Sequence, residues 1–180
     1  LAYFYRGDKM IKLTQEYLKE IIDYNPETGI MTNKKTRSSN AVAGKIINCS
    51  TSTKKYGRVT INKKTYRLHR LIWFYMYGKW PKNEIDHING NTSDNKLCNL
   101  RECSRQENIF NRKSTKGSSS KYKGVSLKNN KWIVQIQINK INKYIGSFSN
   151  KVEAALAYDT AAKKYHKEFA YLNFNSPVAD

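Results

Sequence analysis

Between Glu84 and Asn111 the chain runs Glu84-Ile85-Asp86-His87-Ile88-Asn89-Gly90-Asn91, then Thr92 to Lys96, then Leu97-Cys98-Asn99-Leu100-Arg101-Glu102-Cys103-Ser104-Arg105-Gln106-Glu107-Asn108-Ile109-Phe110-Asn111. Asp86 and His87 close a short extended run, and Asn89-Gly90-Asn91 is a strong turn signal. Leu97 to Glu102 is expected to return as a second strand. Ser104 followed by Glu107 is a capping-box pattern, so a helix is expected to begin there, with Asn108 and Asn111 one turn apart on one face. Strand, loop, strand and helix in that order would gather Asp86, His87 and Asn108 at one spot.

Those residue types suit phosphodiester cleavage. Attack on phosphorus needs a deprotonated water, and an imidazole with an ordinary pKa of about 6.5 accepts a proton near neutrality. Negative charge gathers on the phosphate and departing oxygens. A divalent cation held by hard oxygen ligands, the Asp86 carboxylate and the Asn108 amide oxygen, would neutralise it.

Outward from this stretch, the chain is strongly basic. It has 180 residues and a formal net charge of +19. No carboxylate occurs from Met31 to Asn83, or again from Asn108 to Val152, while lysine and arginine recur through both. Such an excess costs self-repulsion, which a polyanion relieves, so nucleic acid is the expected partner. No apolar run approaches the length of a membrane span and no basic amphipathic helix stands out, so a membrane is not. The three cysteines, Cys49, Cys98 and Cys103, are odd in number and lack paired spacing. That argues against a disulfide framework and a zinc site, and for a reducing compartment. Residues 1–9 lack a secretory pattern and read as an unstructured extension.

Thr14 to Asp23 reads as a short helix capped by Thr14 and stopped by Asn25-Pro26-Glu27-Thr28-Gly29. Val59 to Leu68 reads as a hairpin around Asn62-Lys63-Lys64, and Leu71 to Tyr77 as a buried aromatic helix closed by Gly78. Residues 112–120 lack large apolar side chains and read as a flexible basic linker. Beyond it, Trp132, Val134, Ile136 and Ile138 alternate with Ile133, Gln135, Gln137 and Asn139, the period of a strand with one greasy face. Tyr122–Lys128 and Lys143–Phe148 are its expected partners. Asn150 and Glu153 open an alanine-rich helix running to about Tyr165. The fold expected is α+β: a ββα module at 84–111 within a domain spanning 10–111, then a three-stranded antiparallel sheet with one helix at 121–175.

The Asp-His…Asn-Leu…Asn skeleton of residues 84–111, with Leu68-His69-Arg70-Leu71 before it, resembles the HNH nuclease motif, and Met10 to Arg112 looks like a phage-type HNH homing endonuclease. The resemblance implies a ββα-metal fold with His87 as general base and Asp86 and Asn108 binding Mg²⁺ or another divalent cation such as Mn²⁺. Asn99 would hold the loop that positions His87, and the products would be a 5′-phosphate and a 3′-hydroxyl. Many relatives carry Asp where this chain has Asn89, so no catalytic role is assigned there. Arg70 is expected to contact phosphate near the cut, while His69 reads equally well as an ordinary helix start.

Residues 121–174 resemble the DNA-binding domain of plant ethylene-response factors. The resemblance is carried by Tyr122-Lys123-Gly124-Val125, Lys131-Trp132, Tyr144-Ile145-Gly146-Ser147-Phe148, Glu153-Ala154-Ala155, Ala157-Tyr158-Asp159 and Leu172-Asn173-Phe174. It implies a sheet laid into the major groove, with Lys123, Ser126, Lys128, Gln135, Gln137, Lys143 and Tyr144 as the contacting set. The plant domains use several arginines there and residues 121–180 have none, so a different base preference is expected.

Together these readings give an endonuclease of the homing type acting on double-stranded DNA in the cytoplasm of the bacterial host of a phage or mobile element. No protein partner is expected, and the chain would act as a monomer or a DNA-induced dimer. The linker would let one module hold a site while the other cuts nearby. The competing readings are a transcription regulator that binds DNA without cutting it and an RNA-binding structural protein, which shares the charge but leaves the metal cluster unexplained.

Overall fold

The computed structural model describes residues 3–6, 9–47, 56–114 and 118–174, with side chains from Leu13 onward. Cys49, the middle of the expected linker and the expected domain end at 175 lie outside the described residues. The chain divides into two compact units, Leu1–Cys103 and Ser104–Asp180.

In the first unit, β1 (Tyr3–Arg6) and β2 (Lys9–Lys12) pair antiparallel, so the segment expected to be an unstructured extension carries a strand. Its Tyr-Phe-Tyr run has the aromatic composition that favours extended chain. Helix α1 (Gln15–Ile21) starts on Thr14, whose hydroxyl accepts from the Tyr17 amide, and buries Leu18 and Ile21. The turn after it does more than stop the helix. Strands β3 (Ile22–Asn25) and β4 (Ile30–Asn33) form a hairpin around Pro26–Gly29 that sequence reasoning missed, because the helix runs directly into the first strand. Strands β5 (Arg58–Ile61) and β6 (Lys64–Arg67) form the expected hairpin, with Asn62 and Lys63 both at positive φ, the backbone of a tight two-residue turn. Helix α2 (Leu68–Tyr77) begins three residues earlier than expected, directly after β6, and ends at Gly78 in the left-handed conformation. Its Leu68, Leu71, Ile72 and Phe74 join Leu18, Ile22, Met31 and Ile61 in one core. Strands β7 (Glu84–His87) and β8 (Leu100–Cys103) then pair antiparallel, Asp86 facing Arg101 and His87 facing Leu100.

The second unit opens with α3 (Arg105–Phe110), held at its start by the expected capping box between Ser104 and Glu107. Strands β9 (Val125–Lys128), β10 (Lys131–Ile138) and β11 (Ile141–Phe148) make an antiparallel sheet in the order β11-β10-β9. Strand β9 covers only Lys131–Val134 of its longer neighbour. A register shift between Val134 and Gln135 leaves Ile145 as an extra residue in β11. Helix α4 (Lys151–His166), capped by the Asn150 side chain, lays Ala154, Ala155, Tyr158, Ala161 and Ala162 against Val125, Val134 and Ile136. Small side chains at that spacing let helix and sheet approach closely. The architecture is α+β as expected: strand, strand and helix in chain order at 84–110, then three strands and a helix.

Candidate active site

Asp86 and His87 lie at the end of β7 with only 6% and 3% of their surfaces exposed. His87 Nε2 lies 3.2 Å from Asn95 Oδ1, while Asn95 Nδ2 donates to Ser93 O at 3.4 Å. Since an amide oxygen only accepts, the imidazole proton sits on Nε2 and the basic lone pair is on Nδ1. Asn95, itself buried, is a site residue that sequence reasoning missed. Nothing distinguishes it from other asparagines of a polar loop.

Three features of the overlooked β3–β4 hairpin hold that loop in place. The Tyr24 hydroxyl donates to Asn95 O at 2.8 Å, and the Leu97 amide donates to Pro26 O at 3.0 Å. Gly29, at φ +74°, lies so near that a Cβ there would be 2.5 Å from Lys96 N and 2.6 Å from Asn95 C. Burial pushes the Tyr24 hydroxyl well above its ordinary pKa, with smaller contributions from Cys98, Tyr77 and Asp94, so it stays a donor.

Asn99 ties the other side of the loop. Its Oδ1 accepts from the Asn89 amide (3.0 Å), and its Nδ2 donates to Asn89 Oδ1 (3.1 Å) and Asp94 O (2.7 Å). Its carbonyl accepts from the Ile88 amide, next to His87 (2.9 Å). The Asn89 side chain also donates to Asp94 Oδ2 at 2.8 Å, a bracing role rather than a chemical one.

Asp86 is engaged by a cation from its own hairpin. Arg101 Nε and Nη2 approach Oδ2 at 3.1 and 2.9 Å, an ion pair with both side chains largely buried. The cross-strand register makes this pairing, and sequence reasoning did not anticipate it. His69 packs its ring 5.2 Å from that of His87, nearly perpendicular, with Tyr56 5.0 Å away on the His69 ring. Burial, then the neighbouring His87, Arg67 and Arg70, push His69 down to about 3, so it is neutral at physiological pH. The Arg70 guanidinium donates to Asn83 O (2.7 Å) and Pro81 O (3.2 Å), bracing the approach to β7.

Asn108 lies on α3, in the second unit. Among the described residues no group of three or more His, Cys, Asp and Glu side chains is arranged to hold a metal. The donors that the sequence singles out, one carboxylate and one carboxamide oxygen without a thiolate, match the chemistry of a hard cation that keeps most of its waters.

Of the expected groove-facing residues, the strand register brings five to one face. Ser126, Lys128, Gln135, Gln137 and Tyr144 are exposed and lie opposite the helix-packed side. Lys143 pairs with buried Ile136 on the helix side instead, and its ammonium donates to the Tyr165 hydroxyl at 2.9 Å. Lys123 turns inward, donating to Phe110 O at 2.5 Å and Ile109 O at 3.4 Å. Burial, then Arg112, bring its ammonium down to about 8. No helix of the described residues is long and apolar enough to cross a membrane.

Comparison with known proteins places residues 66–109 in the HNH endonuclease family model. An uncharacterized HNH endonuclease of Acanthamoeba polyphaga mimivirus is 34% identical over 110 residues, 59% of this chain and 57% of that protein. An AP2/ERF and B3 domain-containing transcription repressor of Arabidopsis thaliana is 38% identical over 73 residues, 40% of this chain and 20% of its own. Protein 3.8 of Escherichia phage T7 is 41% identical over 64 residues, 35% of this chain and 53% of its own. The chain thus spans little more than half of the length of these relatives at most. An HNH-nuclease-like segment and an AP2/ERF-like segment are both present in it.

Proposed function

We propose that this chain is a metal-dependent endonuclease of the homing type that hydrolyses phosphodiester bonds of double-stranded DNA, leaving 5′-phosphate and 3′-hydroxyl ends. The carrying observation is His87, buried at a strand end inside the HNH-matching segment, with Nε2 held 3.2 Å from Asn95 Oδ1, an arrangement that suits Nδ1 to serve as the base. His87 Nδ1 takes a proton from water as the water oxygen bonds to phosphorus, the P–O3′ bond breaks, and the departing oxygen is protonated from solvent. Asn99 and Asn95 keep the loop and ring in register for that transfer. Asp86 and Asn108 are the residues that would hold Mg²⁺ or Mn²⁺, and the cation would supply neutralisation of the charge gathering on the phosphate. Arg101 pairs with the Asp86 carboxylate and holds it oriented. The exposed sheet face bearing Ser126, Lys128, Gln135, Gln137 and Tyr144 rests on DNA, the two glutamines reaching base edges and the lysine a phosphate. Arg70 adds a phosphate contact beside the cut. Action as a monomer or DNA-induced dimer, in the cytoplasm of a bacterium hosting a phage or mobile element, completes the reading.

The test is nicking of a supercoiled plasmid with Mg²⁺, with EDTA, and by His87→Ala. Nicking that needs metal, and falls at least about 100-fold in the variant while gel-shift affinity is kept, is expected for a general base. Full activity of His87→Ala would falsify that role. A second reading, a regulator that binds DNA without cutting it, is favoured by the Arg101–Asp86 ion pair, which already neutralises the carboxylate. Tight DNA binding with no metal-dependent nicking in the same assay selects it.

A further inference from the structure

Helix α3 has six residues and buries none of them fully. A helix that short does not persist in water on its own, because the ordering of its first turn is not recovered in so few hydrogen bonds. Its N-terminal end is satisfied locally by the Ser104–Glu107 capping box. Its C-terminal end is satisfied from elsewhere in the second unit. The Lys123 ammonium, just before β9, sits on the carbonyls of Ile109 and Phe110, where the negative end of a helix attracts a cation. The Tyr171 amide, beyond α4, also donates to Phe110 O at 3.3 Å. The Phe110 ring stacks on that of His166, the last residue of α4, with centroids 3.7 Å apart and planes 7° from parallel. His166 is itself fixed by Nε2 on Gln137 O at 2.7 Å. One helix end is thus clasped from the residue before the sheet, the end of α4 and the segment after it, with Gln137 near the end of β10 fixing His166.

We infer that α3, and with it Asn108, is oriented by the C-terminal sheet-and-helix module, with Phe110, Lys123 and His166 as positioning residues. This rests on the proposed role of Asn108 as a metal ligand and goes beyond it. The sheet-and-helix module is then not a passive tether that raises local concentration. It supplies the catalytic helix, so cleavage depends on it even on DNA that it need not recognise.

The test uses the full chain carrying Phe110→Ala or Phe110→Tyr, the second keeping the ring. Hydrogen exchange of the residue 104–111 amides, read by mass spectrometry, is expected to quicken at least about tenfold in Phe110→Ala and to return toward wild type in Phe110→Tyr, with α4 protection unchanged in both. In plasmid nicking, Phe110→Ala should need several-fold more Mn²⁺ for half-maximal rate, while its gel-shift affinity for DNA stays within about threefold. Unchanged exchange at 104–111 in Phe110→Ala overturns the inference whatever the nicking result. Quickened exchange with an unchanged Mn²⁺ requirement overturns the positioning of Asn108. Wild-type protein that never nicks removes the nuclease reading, and the exchange data still decide whether the module owns α3.

Discussion

His69 and His87 lie with their rings 5.2 Å apart in a buried pocket, yet only one of them has a chemical task in the proposed reaction. His69 is the neutral wall. Its pKa is about 3 in the folded protein and ordinary, near 6.5, in the unfolded chain. Between those values the unfolded state carries a proton that the folded state does not, so stability falls as pH falls through that window and is fully kept above it. The slope from this residue approaches about 1.4 kcal/mol per pH unit. Urea unfolding of wild type and His69→Gln between pH 4 and 7 should show the shallower acid slope in the variant; parallel slopes would mean that His69 titrates normally. Lys123 and Lys143 carry a different lesson at this scale. Both look like groove contacts by position, but one ammonium caps a helix end and the other reaches a tyrosine hydroxyl on α4. A lysine's sequence position tells little about where four methylenes will take its charge.

At the scale of elements, the β3–β4 hairpin is the support behind His87, and Gly29 is where it makes closest approach. Alanine there meets two obstacles, a positive φ and main-chain atoms of Asn95 and Lys96 that cannot swing aside. Gly29→Ala is expected to destabilise the protein by about 2–4 kcal/mol, adding the cost of a left-handed alanine to that of overpacking. Gly44→Ala, also at positive φ but with nothing within 4 Å of the added carbon, should cost only about 1 kcal/mol. Thermal denaturation of both variants makes the comparison, and equal losses would show that the close approach is not real. Elements with strong local signals were legible in the sequence: the Ser104–Glu107 capping box, the Asn150 cap, the Asn62-Lys63 turn and the alternation of β10 all encode themselves within a few residues. The β3–β4 hairpin was not, since Ile22-Asp23 reads as the end of the helix opened at Thr14 and becomes strand only by packing on the first core. Asp86, His87 and Asn99 stand out by spacing, whereas Asn95 and Arg101 owe their places to a loop fold and a strand register that spacing does not encode.

For the molecule as a whole, basic residues populate both units, and a net charge of +19 must be neutralised by whatever it binds. DNA affinity is expected to fall with a log–log salt slope of about −5 or steeper, the signature of six or more phosphates neutralised. Filter binding from 50 to 300 mM salt reads this directly, and a slope shallower than about −2 would mean that most of this charge never meets the backbone. The shortness of β9 has its own consequence. Beyond Val134, β10 has no strand on that side among the described residues; Gly124 O and His166 Nε2 each occupy one main-chain group there. An uncovered strand edge is a template on which another copy of the chain can build. The His166 imidazole, bonded to Gln137 O, occupies part of that edge, so the ring that steadies α3 also denies the strand to a neighbouring copy.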